Sequence, residues 1–364
     1  MSNPLDVQEL VEYCFDFLHG SKSDLKACAL VCRGWVYAAQ SQLFAKMDIC
    51  DSMVDQHRRV AQLLEISQSP HILALVSRLE INLHYLASES FLGAITQFTR
   101  LKEVRISGNS MASTPGTASL AVGALLSLTT VQRVELHCAF PTPSAFLQIW
   151  GGCSENVKHL ELGSVHVNDF EYDWASSPVL LRSKVKLASL RVLYGDFILP
   201  WLTTDACPFA FSQLTSLTVC ALKEHLIDWS VFQPKMIERL EIGSNAIQKP
   251  INLGPFTRLR HLVLQVHGPR NLAIALTVLA TIPPANHISR ITLDCTYPSQ
   301  SDIFTRLDDL LFGMPLPELV EVEFFTEYRN VEEPVKQALP KLHACGLLGV
   351  KSWGSAYANT RGFT

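Results

Sequence analysis

Two cysteines one helical turn apart, Cys28 and Cys32, are the first residues whose type and spacing can do chemistry; they lie in DLKACALVCRGW, residues 24 to 35. Thiols at i and i+4 can face one zinc ion. A structural zinc site wants four ligands, however, and no C-x-x-C or H-x-x-x-H stands nearby. Apolar neighbours also raise a thiol's pKa and keep it unreactive, so both cysteines read as core side chains. No G-x-S-x-G elbow, G-x-x-x-x-G-K-[ST] loop or G-x-G-x-x-G turn occurs. The twelve histidines are scattered, and His159 and His261, at equivalent polar positions of a repeated pattern, read as solvent-facing. No catalytic residue, metal ligand or cofactor site is expected, and the chain reads as a non-enzyme.

What the chain offers in place of a catalytic motif is a repeat. The string apolar-x-x-apolar-x-apolar occurs as VSRLEI from 76, LKEVRI from 101, VQRVEL from 131, VKHLEL from 157 and LASLRV from 187. It continues as LTSLTV from 214, IERLEI from 237, LRHLVL from 259, ISRITL from 288 and LVEVEF from 319, about 27 residues apart on average. The last four residues of each copy alternate polar and apolar, the period of a half-buried strand. One strand per repeat leaves some twenty residues to return to the same edge, which predicts a parallel sheet. SESFLGAITQF from 88, TASLAVGALLSL from 117, NLAIALTVLATI from 271 and SDIFTRLDDLLF from 301 begin at Ser, Thr or Asn and carry apolar residues at helical spacing. Residues 195–258 hold several prolines and few such patterns, so irregular or single-turn connections are expected there.

Ahead of the repeats, Val7, Leu10, Val11, Cys14, Phe15 and Leu18 form one helical stripe, closed by Gly20. Ser21 or Ser23 can cap a second helix holding Leu25, Cys28, Ala29 and Cys32, and a third holds Trp35, Ala39 and Leu43. Three short helices bury little area among themselves, so an apolar strip is expected to stay open to a partner.

Over residues 44 to 350 the repeats resemble the leucine-rich repeat, and LKEVRISGNSM and IERLEIGSNAI place Asn109 and Asn245 where that family's side-chain amide satisfies turn backbone. The resemblance implies an α/β solenoid, an arc with a parallel sheet on the concave face and helices or irregular connectors outside. Residues 6 to 44 are similar to an F-box, as found in large fungal families of F-box proteins with degenerate leucine-rich repeats. The carrying residues are Glu9, Leu10, the stripe to Leu18, Leu25, Cys28 to Arg33, Trp35 and Leu43-Phe44. Asp6-Val7 stands where most F-boxes have Leu-Pro, and LPKLHACGLLGV from 339 is similar to that group's closing element. The implied organisation is a three-helix module at 1–45, a solenoid of about ten to eleven strands at 46–350 and a flexible tail at 351–364. The implied function is substrate recognition in a cullin-RING (SCF-type) ubiquitin ligase. Leu10, Leu18, Leu25, Val31, Cys32 and Trp35 would form the contact with a Skp-type adaptor, and through it a cullin, or support that contact. The alternative is a leucine-rich-repeat scaffold without ligase attachment.

Two features of the repeats bear on a target protein. Arg78, Glu103 and Arg133 precede the central apolar residue in successive copies and Glu80, Arg105 and Glu135 follow it, so neighbouring strands would set opposite charges side by side. Such a face is either self-neutralised and solvated or a docking surface involving Arg105, Arg133 and Glu135. Aromatic residues between 170 and 232 serve as core filler or interface anchors, with Tyr172, Trp174 and Trp201 the best candidates for exposed anchors.

Composition limits the partners. The chain of 364 residues is 48% hydrophobic and 18% charged, with a net charge of −4, which gives no bulk electrostatic reason to bind nucleic acid or anionic lipid. MSNPLDVQELVEY is no secretory signal, and Leu120 to Leu128 falls short of the roughly 20 apolar residues of a membrane span. Ten dispersed cysteines read as reduced, in keeping with a cytoplasmic or nuclear, non-secreted protein.

Overall fold

The computed structural model describes residues 8–18, 20–49, 65–66, 68–82, 89–108, 115–167, 173–174, 184–193, 198–220, 229–243, 251–266, 268–295, 301–326 and 331–352. The fold is α/β, and the chain divides into two compact units. All ten copies of the repeat become strands, each starting at the third residue of its motif.

The first unit comprises Met1–Val185 with Asp205–Pro208. It opens with helices α1 (Gln8–Asp16), α2 (Lys22–Ala29) and α3 (Arg33–Phe44), then strand β1 (Lys46–Ile49). Helices α4 (Pro70–Leu73), α5 (Glu89–Ala94), α6 (Pro115–Leu126) and α7 (Pro143–Gln148) precede strands β2 (Arg78–Asn82), β3 (Glu103–Gly108), β4 (Arg133–Phe140) and β5 (His159–Gly163) in turn. Strands β1 to β5 pair in sequence order, all parallel. Strand β1 belongs to one more copy of the motif, FAKMDI from 44, and like the others starts at its third residue, Lys46.

The three apolar positions of the motif make the core. Val76, Leu79 and Ile81, with their counterparts Leu101, Val104 and Ile106, Val131, Val134 and Leu136, and Val157, Leu160 and Leu162, are all buried. Each such side chain contributes about 1.5–3 kcal/mol through burial. The second and third positions carry the joint between repeats. The amides of Lys102 and Glu103 both donate to the Ser77 carbonyl, at 2.7 and 3.0 Å, and those of Gln132 and Arg133 both donate to Lys102, at 2.8 and 3.0 Å. Lys158 and His159 do the same to Gln132, and Ser77 and Arg78 to Ala45.

Helix α7 illustrates local determination. Thr142 accepts a hydrogen bond from the Ala145 amide at 3.2 Å and Pro143 occupies the first turn, where its missing N–H costs nothing. Its Phe146 ring then meets Phe140, Trp150 and Trp174 edge-on, at centroid distances of 5.2, 5.9 and 6.0 Å.

The second unit comprises Lys186–Thr204 and Phe209–Thr364. Its strands are β6 (Ser189–Leu193), β7 (Ser216–Cys220), β8 (Arg239–Ile242), β9 (His261–Val266), β10 (Arg290–Cys295), β11 (Glu321–Thr326) and β12 (Leu348–Ser352), again parallel and in sequence order. The shared-carbonyl joint recurs here: Glu238 and Arg239 donate to Thr215, Arg260 and His261 to Glu238, and Ser289 and Arg290 to Arg260. Connections before β9 are the expected short pieces: helix α8 (Ile198–Leu202) and 3-10 turns at Trp229–Phe232 and Pro234–Met236. Helices α9 (Pro269–Leu279), α10 (Ser301–Gly313), α11 (Glu332–Ala338) and α12 (Pro340–Ala344) complete the unit.

The helices expected from 117 and 271 start two residues earlier, at Pro115 and Pro269, because proline's fixed φ suits a first turn better than the Thr or Asn downstream. The expected tail from 351 is corrected too: Lys351 and Ser352 are in β12, where Lys351 pairs with Glu323. Asn109, Asn245 and residues 353–364 lie outside the described residues.

Gly243, just past β8, lies so close to its neighbour that an added Cβ would sit 2.6 Å from the Cys220 Cα. Gly243→Ala is expected to cost about 2 kcal/mol by overpacking, read as a lower urea midpoint. Gly93→Ala, in α5 with nothing within 4 Å, should instead raise the midpoint through helix propensity.

Candidate interaction surfaces

Helices α1 to α3 close on a core of Val11, Phe15, Leu25, Ala38 and Ala39, with Leu18, Cys28, Ala29, Trp35 and Leu43 packed against it. Phe15 meets Trp35 edge-on at 5.5 Å. So small a core leaves the rest of the apolar residues outside. Leu10, Tyr13, Phe17, Leu30, Val31 and Tyr37 are between 47% and 87% exposed. Tyr13 and Phe17 touch edge-on at 5.3 Å and, with Leu10, form a second stripe at i, i+3 and i+7 along α1 and the turn just after it. Ser21 sits at the start of α2 without a capping bond, its hydroxyl 3.2 Å from that of Ser23.

The expected contact residues therefore divide. Leu10, Val31 and Cys32 are exposed, Leu25 is core, and Leu18 and Trp35 pack onto that core. The single stripe read along the first helix is really two: Val11, Phe15 and Leu18 turn inward, Leu10 and Cys14 outward, and Val7 lies outside the described residues. Tyr13 and Phe17 were not singled out from sequence, and Leu30, one of the residues that carry the resemblance, was not among the expected contacts. At about 100° per residue Tyr13 and Phe17 fall beside Leu10, and that second period was the available signal.

Among the described residues no group of three or more His, Cys, Asp or Glu is placed to hold a metal ion, and no helix is long and apolar enough to cross a membrane.

The sheet of the first unit presents its polar positions in register. One row runs Lys46, Arg78, Glu103, Arg133, His159 and the next Asp48, Glu80, Arg105, Glu135, Glu161. Glu103 pairs with Arg78 at 3.4 Å and Arg133 at 3.8 Å. Arg105 pairs with Glu80 at 3.1 Å and Glu135 at 3.7 Å, and Lys46 with Glu80 at 3.0 Å. Arg105 and Arg133 are about one-third exposed, whereas Glu135 is buried. Exposed pairs of this kind contribute about 0–1 kcal/mol each, so the lattice aligns side chains more than it stabilises the fold.

Alternation fails where Glu135 faces Glu161. Burial, and then the Glu161 charge, push the Glu135 carboxyl above its usual value against the pull of Arg105, Arg78 and His137. His137 approaches Glu161 to 3.4 Å, and its ring lies over Gly163, where a Cβ would come within 2.3 Å of it.

In the second unit the corresponding face is a hydrogen-bonded lane. Arg239 Nη1 donates to His261 Nδ1 at 2.6 Å, His261 Nε2 donates to the Thr292 hydroxyl at 3.0 Å, and Thr292 donates to Glu323 at 3.2 Å. Glu323 also takes the Lys351 ammonium. Burial, then Arg239 and Arg290, pull His261 down to about 4, so it stays neutral and accepts at Nδ1. His159 is likewise lowered, by burial and Arg133. Both histidines, expected to face solvent, are half-buried, and Arg239 and Thr292 flank His261 from the adjacent strands.

Two expected anchors are corrected. Trp174 packs on Phe146, and Trp201 is fully buried and meets Phe209 edge-on at 6.0 Å. With short connectors on these repeats, aromatic bulk fills the space that a helix occupies elsewhere. Tyr172 lies outside the described residues. No protein-family model matches this chain, and no curated protein matches it.

A carboxyl whose pKa is raised by folding binds its proton more tightly in the native state. Glu135 therefore costs stability at neutral pH, and the cost is relieved as pH falls through the raised value toward the ordinary 4.5. Glu135→Gln is expected to stabilise the protein by on the order of 1 kcal/mol at pH 7.5, the gain shrinking toward pH 4.5 in urea titrations.

Proposed function

We propose that this chain is a substrate-recognition subunit of a cullin-RING (SCF-type) ubiquitin ligase, an F-box protein with leucine-rich repeats. The observation that carries the reading is the set of six large exposed apolar side chains, from Leu10 to Tyr37, on helices that share a core of five buried residues. A module this thin gains from a second chain that covers Leu10, Tyr13, Phe17, Leu30 and Val31. In this reading that chain is a Skp-type adaptor, which brings in the cullin, and the polar faces of the repeats hold the target. The resemblance of residues 6 to 44 to an F-box names the adaptor, and the strand-per-repeat organisation supports the leucine-rich-repeat assignment.

The contribution to ubiquitin transfer is proximity. Holding target lysines near a charged carrier raises their effective concentration, with no bond made or broken by this chain. A second reading, a repeat scaffold without ligase attachment, is motivated by Asp6-Val7 in place of Leu-Pro.

Co-purification of the full chain with a Skp-type adaptor tests the assignment. Phe17→Asp combined with Val31→Asp changes exposed positions and should leave the circular dichroism spectrum unaltered, while adaptor retention falls at least about tenfold. Trp35 is unsuitable for this purpose because it packs on Phe15. Unchanged retention in the double variant sinks the assigned surface, and capture of other proteins without adaptor by the parent chain favours the scaffold.

A further inference from the structure

We infer that the outer edge of β12 is a self-association surface, on which a second copy of this chain pairs its own β12 antiparallel across a two-fold axis normal to the sheet. The inference is independent of the adaptor contact and of the ligase assignment.

Backbone geometry defines the surface. Strand β12 ends the sheet order of the second unit, and among the described residues no strand pairs with its other side. The Val322 amide donates to the Leu347 carbonyl at 2.8 Å, and Val322 lies level with Leu348. In a parallel ladder successive residues then alternate. Gly349 and Lys351 direct their amides at β11, so the amides and carbonyls of Leu348, Val350 and Ser352 point away from it. Such a row is a template for another strand.

The apolar layer under this edge is unfinished. The fourth and sixth motif positions are buried in every copy, from Met47 and Ile49 on β1 to Val322 and Phe324 on β11. Leu348 and Val350 continue those positions in register and are half-buried. The end of a stacked repeat normally carries a polar cap, and an edge strand is normally guarded by an outward charge or a proline. Strand β12, LGVKS, has no proline. Its one charge, Lys351, is turned back onto Glu323, with the ammonium 5.7 Å from the centre of the Phe325 ring.

The sequence of the edge selects a second copy as its occupant. Antiparallel pairing centred on Val350 sets Val350 against the partner's Val350 and Leu348 against the partner's Ser352, so the outward amides and carbonyls satisfy one another. The apolar side chains of both edges then meet on the core side. On the polar side Gly349 faces the partner's Lys351, which places the bulky charged residue opposite the one without a side chain and sets no like charges directly opposite. Glu321 supplies the counter-charge. Its Oε2 holds Arg290 at 3.0 Å, while its Oε1 reaches over Gly349, 3.1 Å from where a Cβ would sit. The partner's Lys351 thus stands between its own Glu323 and this Glu321, and an ammonium has three donors to share between them.

Sedimentation equilibrium of the full-length protein tests this, together with amide hydrogen exchange. The mass should climb from 40.5 kDa toward twice that value as concentration rises. The Leu348 and Val350 amides should exchange at least about tenfold more slowly in the associated state than in the dilute monomer. Val350→Pro removes an outward amide and leaves the ladder to β11 intact, and Gly349→Lys sets two ammonium groups opposite each other. Each should weaken association at least about tenfold. Gly349→Lys should keep the parent's urea midpoint, since the contact at 3.1 Å is the end of the flexible Glu321 side chain. A chain that stays monomeric up to about 1 mM, or undiminished association of both variants, would overturn the proposal. So would slow exchange of the Val350 amide in the dilute monomer, because the chain would then be covering its own edge.

Discussion

A single backbone carbonyl in each repeat, shared by two consecutive amides of the next, holds the strands of each unit in place. Ser77, Lys102 and Gln132 act in this way in the first unit, and Thr215, Glu238, Arg260 and Ser289 in the second. The joint falls just where the strand begins, so it sets the register before any side chain is considered. Once it is made, the apolar positions of every repeat stack into one layer and the polar positions into rows. Charge neighbours on those rows follow from the joint, since a slip of one residue would turn each polar side chain into the core.

The same registration produces opposite outcomes on the two polar faces. Burial alone would raise the Glu323 carboxyl, but hydrogen bonding and charge from Lys351, with Arg290 and Thr292 nearby, bring it below its usual value. Glu323 thus ends a lane in which each group has a partner, from Arg239 through His261 and Thr292. Glu135 instead faces a second carboxylate, Glu161, in register on the next strand, and its own burial and then that charge raise it.

The helical segment is governed by quantity of core. Five buried side chains cannot also shelter Tyr13, Phe17 and Leu30, however the three helices are arranged. An amphipathic helix normally has one apolar stripe. Helix α1 has two, and only the one holding Val11, Phe15 and Leu18 meets α2 and α3. That geometry, together with the resemblance of the segment, is what ties the proposed adaptor contact to this end of the chain.

Local pattern determined a great deal without tertiary information. The alternation in VSRLEI and its nine relatives specified where each strand starts, and their spacing required parallel pairing, because both depend on neighbours a few positions apart. Opposite charges at Arg78, Glu103 and Arg133 could be paired on paper for the same reason. FAKMDI escaped notice because its apolar lead residue, Phe44, doubles as the end of α3. What periodicity could not decide was which of two apolar residues is covered. Trp174 and Trp201 look like surface anchors beside polar residues and prolines, yet Phe146 and Phe209, brought in from other parts of the chain, enclose them. Leu10 and Phe15 look alike in one stripe, and only the placement of Trp35 and Ala39 separates them. Strand and helix follow from short-range spacing, whereas burial is a sum over distant neighbours and belongs to the tertiary structure alone.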